Sequence, residues 1–171
     1  AGGWGGSGGE RGASGGFEAG SLAGWSGFVQ DGSGGEIFAT SLGMGSPLPI
    51  SGSAAPGPAS GEWYATVDQT GPGAYSLSQN FTVDPGAVNV FISFAMFHRD
   101  QSGFAPLNSG VLDYASGPAQ WARVDILDSV GAAVATFADV GSAPWTHYSA
   151  EITGLVAPGN TYSFRYGHVD N

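Results

Sequence analysis

The chain contains no cysteine. Disulfide staples, thiolate metal sites and thiol nucleophiles are therefore excluded together. Lysine is absent as well, and the cationic side chains other than histidine are the four arginines, Arg11, Arg99, Arg123 and Arg165. With a formal net charge of −10 there is no basic stripe to neutralise phosphates, which argues against a nucleic-acid partner. The same balance argues against anionic membrane surfaces. Charged residues make up only 11% of the chain, against about a quarter in ordinary globular domains. No apolar run approaches the roughly 18 residues of a membrane-spanning helix, and no charged-then-apolar leader is seen. No segment carries a convincing helical period.

What remains is a chain of 171 residues, 31 of them glycine, with 42% hydrophobic residues. That is enough for one domain with a full core. Residues 1–16 are almost pure glycine and serine, and Trp4 is the one large apolar anchor among them. Alone, such an arm is a flexible linker; packed on its own domain or on a neighbouring subunit, it is an assembly element.

From residue 17 onward the pattern has period two, punctuated by turns. It predicts strands over 25–29, 36–42, 62–68, 75–83, 88–97, 120–127, 132–137, 145–152 and 161–169. Val88, Val90, Ile92, Phe94 and Met96 form one apolar face, and Tyr162, Phe164, Tyr166 and His168 form another. Such alternation requires one buried and one wet face. Asp84-Pro85-Gly86, Asp128-Ser129-Val130-Gly131 and Ala157-Pro158-Gly159-Asn160 mark turns. Long connections run over 43–61 and 98–119. The expectation is an all-β protein: a glycine-rich N-terminal arm over 1–16, then one domain over 17–171 folded as a two-sheet antiparallel β-sandwich. A barrel is the alternative, made less favourable by the two long connections.

Phe17-Glu18-Ala19-Gly20, followed by Leu22-Ala23-Gly24-Trp25, resembles the opening of galactose-binding-like jelly rolls. These occur in carbohydrate-binding modules and in exported bacterial proteins of the PEP-CTERM type. Segments 61–68, 76–81 and 159–164 look like later signposts of that family, and Val169-Asp170-Asn171 is similar to its closing motif. The resemblance covers 16–171. It implies a jelly roll, an extracellular or cell-surface location, and a structural Ca²⁺ held by Glu18, Asp170 and backbone carbonyls, tying the two ends of the domain together. The alternative is that Glu18 satisfies turn amides and Asp170 is only a terminal residue. Two departures stand out: the family's apolar strand continues past the closing motif, and the arm is not part of its pattern. Together they permit strand donation between copies.

Exposed aromatics would stack on sugar rings. The candidates are Trp63, Tyr114, Trp121 and Trp145. Alternation places Trp121 with Arg123 and Asp125 on a polar face, a plausible sugar platform; the alternative is an aromatic covering a sheet end or a contact between subunits. Asp31-Gly32-Ser33-Gly34-Gly35-Glu36 lacks the spacing of a calcium loop and reads as a hairpin turn. His98, Arg99 and Asp100 read as a salt-bridged loop base, and His147 and His168 as packed or solvated residues. Glycine-tract matches to a hydrolase elbow and a dinucleotide fingerprint lack the strand-to-helix setting those mechanisms need. A hydrolase therefore ranks last. The expected function is a non-catalytic extracellular structural module that assembles with copies of itself into filaments or a surface matrix, through Trp4 and the arm. The alternative is a carbohydrate-binding module using Trp121, Arg123, Trp145 and Tyr114 on a polysaccharide.

Overall fold

The computed structural model describes residues 16–41, 47–98, 110–116, 120–139 and 145–170. Trp4 and the arm before residue 16 lie outside the described residues, as do Arg99 and Asp100. Nine strands follow in order: β1 (Ser26–Val29), β2 (Gly35–Ser41), β3 (Trp63–Gln69), β4 (Gly73–Thr82), β5 (Phe91–Met96), β6 (Trp121–Leu127), β7 (Ala133–Asp139), β8 (Thr146–Glu151) and β9 (Thr161–Asp170). Every pairing is antiparallel. Among the described residues there is no helix, and so none long and apolar enough to cross a membrane.

The central layer is a five-stranded sheet in the order β1-β4-β9-β6-β7. Its spine is the pairing of β4 with β9, which runs from Gly73↔Asp170 to Thr82↔Thr161. Facing it are two ribbons, β2–β3 and β5–β8, rather than one continuous second sheet. Alternation explains why the layers meet. Tyr162 and Phe164 on β9, Val124 and Ile126 on β6, and Ile92, Phe94 and Met96 on β5 are all buried in one core cluster. Phe94 stacks on Tyr148 at 4.9 Å and meets Phe164 edge-on at 5.6 Å. Each such side chain contributes about 1.5–3 kcal/mol on leaving water, so the faces predicted from period two are also those that hold the sandwich closed.

The fifth strand starts later than its hydrophobic run. Val88 is 80% exposed, and pairing with β8 begins at Phe91↔Glu151. Asp84 Oδ1 accepts from the Gly86 amide at 2.7 Å, and the Ala87 amide donates to the Asp84 carbonyl. This Asx-type turn takes up the chain before it can extend.

Candidate functional site

A cleft of about 690 Å³ lies between the central sheet and the two ribbons. That falls within the roughly 300–1,000 Å³ usual for small-molecule sites. Period two accounts for part of its lining; β3 borders it along the whole run 64–69, Gln69 included. On β9 the even positions Phe164, His168 and Asp170 face in, and on β3 so do Tyr64 and Asp68. Phe97 and His98, just beyond β5, line one side, and Leu48 and Pro56 from segment 47–58 line the other. Asp68 is buried and accepts the amides of Ile50 at 2.7 Å and Ser51 at 3.1 Å, which holds that segment along the cleft.

One end of the cleft is an aromatic corner. Trp145 meets Tyr64 edge-on at 6.0 Å and lies 5.8 Å from Phe97. Its indole Nε1 donates to the Gly57 carbonyl at 3.0 Å, fixing the ring plane. Burial pushes the Tyr64 hydroxyl above the usual tyrosine range, opposed in part by the Gly57 carbonyl.

The other end is polar. Asp170 accepts from Gln69 Nε2 at 2.5 Å through Oδ2 and from Gln120 Nε2 at 2.6 Å through Oδ1. His168, two residues earlier on the same face, lies 5.5 Å from His98, ring to ring. From Tyr64 to Gln69 the cleft follows β3 for five steps, about 17 Å at roughly 3.3–3.4 Å per residue.

The residues expected from sequence divide between two faces of the central sheet. Trp145 is in the cleft. Trp121, Arg123 and Tyr114 are on the opposite face. Alternation assigns Trp121 to a wet surface, and the structure corrects this: Trp121 is 1% exposed. The reason is segment 110–116, whose Leu112 and Tyr114 pack against it. Tyr114 donates its hydroxyl to the Asp31 carbonyl at 3.0 Å and its amide to Gln30 Oε1 at 3.1 Å, fastening the segment over the sheet. The Arg123 guanidinium lies 5.1 Å from the Trp121 ring, so the indole face meets a cation of its own chain. Asp125, expected beside them on the wet face, has no exposed surface.

Glu18 and Asp170, which the family resemblance implies share a calcium, contact different ends of β3. Glu18 accepts the amides of Glu62 at 3.0 Å and Trp63 at 3.5 Å, at the start of β3. Asp170 is held by Gln69 at the end of β3. Six residue steps separate those ends, on the order of 20 Å. Among the described residues no three His, Asp or Glu side chains converge as ligands. Trp63 packs on Gly20, whose φ of +69° only glycine adopts readily.

Sequence reasoning did not single out Tyr64, Asp68, Gln69 or Gln120. Alternation in 63–69 marks Tyr64 and Asp68 as sharing a face. Nothing local marks the glutamines, which reach Asp170 across 101 and 50 residues of chain.

No family model and no curated protein matches the chain. Among solved structures it is similar to the crystal structure of the enzymatically active domain of bacteriophage CBA120 tailspike protein 4, with a TM-score of 0.50 and 10% identity. The match covers 91% of this chain and 18% of the tailspike chain. A likeness at that identity is one of fold alone.

Proposed function

We propose that the domain is a non-catalytic, extracellular, galactose-binding-like jelly-roll module whose cleft takes a stretch of saccharide chain. The observation that carries this reading is the joining of two features in one elongated cleft. Trp145, partly exposed and backed edge-on by the buried Tyr64, offers an apolar ring face at one end, and Asp170, Gln69 and Gln120 form a cluster of hydrogen-bonding groups at the other. Sugar rings present both an apolar face and a rim of hydroxyls, and sites for such ligands combine aromatic walls with a few polar groups. The non-catalytic part rests on how the titratable groups are engaged. Asp68 holds backbone amides, Asp170 holds glutamine amides, and His98 and His168 face each other. The tailspike domain's description as enzymatically active belongs to a chain of which this one spans 18%.

Affinity electrophoresis against a panel of neutral polysaccharides tests the reading. Retardation by at least one of them, weakened roughly tenfold or more in Trp145→Ala, is expected. Wild-type protein that no polysaccharide retards overturns it.

A second reading, self-assembly, draws on β1. Among the described residues this edge strand pairs only with β4, and Phe28 and Val29 are 45% and 41% exposed. Edges of this kind are commonly guarded by lysine, proline or a bulge, and β1 has none. Sedimentation velocity that finds oligomers in the wild type and monomers in Phe28→Asp supports assembly through this edge. A monomer at every concentration removes it.

A further inference from the structure

We infer that the cleft selects a positively charged sugar: resting on the saccharide reading above, the ligand is an amino sugar whose protonated amine sits against Asp170. The two donors on Asp170 are carboxamides, which orient the carboxylate but leave its charge in place. Among the described residues no arginine lines the cleft. The two described arginines, Arg123 and Arg165, both engage Asp125 on the opposite face of the sheet. Asp68, the other carboxylate lining the cleft, is met by uncharged backbone amides. Among the described residues, His168 is two positions from Asp170 on its own strand, His98 faces His168, and Tyr75 on β4 feels the Asp170 charge. Burial raises the Tyr75 hydroxyl above its usual range. A carboxylate in a partly enclosed site that meets no cationic side chain among the described residues favours a cationic ligand and disfavours an anionic one. An alkylammonium supplies three donors to such an acceptor. The molecule's net charge of −10 acts in the same sense, steering cations in and acidic sugars away. At the far end, five residue steps and about 17 Å along β3, the partly exposed Trp145 ring takes a different ring of the same oligomer.

Calorimetric titration near neutral pH compares oligomers of glucosamine, N-acetylglucosamine and galacturonate, with oligolysine as a charge control. The glucosamine oligomer is expected to bind at least roughly tenfold more tightly than its acetylated counterpart. The galacturonate oligomer is expected to give no heat. In Asp170→Asn the preference for the amine is expected to vanish. The comparison of sugars within the wild type needs no variant to fold. Equal or tighter binding of the acetylated oligomer overturns the amine assignment while leaving saccharide binding standing. No heat from any sugar overturns both. Oligolysine binding as tightly as the glucosamine oligomer reduces the effect to bulk charge attraction and overturns the assignment. So does calcium that displaces the amine at Asp170.

Discussion

Arg165 on β9 donates to Oδ2 of Asp125 on β6 at 2.6 Å, across the outer face of the central sheet. Arg123 reaches the same oxygen at 3.0 Å, and Thr136 on β7 donates to Oδ1 at 2.8 Å. One fully buried carboxylate thus fastens three adjacent strands. Asp125→Ala leaves two guanidinium groups, 13% and 20% exposed, without their counter-charge. The expected loss is about 3–5 kcal/mol, because breaking a buried pair strands the remaining charge. Arg165→Met, which leaves Arg123 on Asp125, is expected to cost clearly less. Urea denaturation of the two variants measures the difference.

Trp121 and Gly167 make a second, steric pair. A Cβ at Gly167 would stand 2.8 Å from Cζ3 of Trp121 and 2.9 Å from its Cη2. Gly167→Ala must therefore displace a buried indole, at an expected cost of about 1–3 kcal/mol. Trp121→Ala empties the same space and is expected to cost about 3–5 kcal/mol. If thermal unfolding finds Gly167→Ala neutral, the packing of segment 110–116 on this face is looser than described.

That segment also carries a pH dependence. Gln30 Nε2 donates to Asp113 Oδ1 at 2.7 Å, and the Ala115 amide donates to the same oxygen at 2.9 Å. The Gln30 bond first, and the Ala115 amide second, hold the Asp113 carboxyl below its usual range. A lowered value means that the folded state favours the charged form. The contribution is present at neutral pH and is lost as pH falls through that lowered value. Acidification is expected to loosen 110–116 first, read as a rise in solvent quenching of Trp121 fluorescence before global unfolding. In Asp113→Asn this early step should disappear.

Asp68 is the hinge on which segment 47–58 depends. Replacing it with asparagine points an amide donor at one of the two backbone N–H groups it now accepts. Leaving one such group unsatisfied costs about 1–3 kcal/mol. Hydrogen exchange at Ile50 and Ser51 is expected to accelerate in Asp68→Asn while exchange across the β4–β9 pairing is unchanged.

The strand pattern was legible because each strand buries one face against another layer, so alternation records the packing directly. Residues 161–169 illustrate it: Tyr162, Phe164 and His168 are buried as period two requires. Val88 misled because a turn signal and an apolar run overlapped, and the turn won. Trp121 misled for a different reason. Alternation separates two faces but does not say whether a distant loop covers the second one, and 110–116 does. The cleft was legible only in part. Trp145 stood out as an aromatic at a strand start, whereas Gln69 and Gln120 meet Asp170 through pairings far apart in the chain. The Glu18–Asp170 pairing came from family resemblance and not from local pattern; in the structure the two carboxylates contact different ends of β3.

The division of the second layer into two ribbons has a mechanical consequence. Within the described residues, β2–β3 and β5–β8 share no strand ladder with the five-stranded sheet. What joins either ribbon to the central sheet is therefore side-chain packing and not a strand ladder, and the seam between the layers is the wall of the cleft.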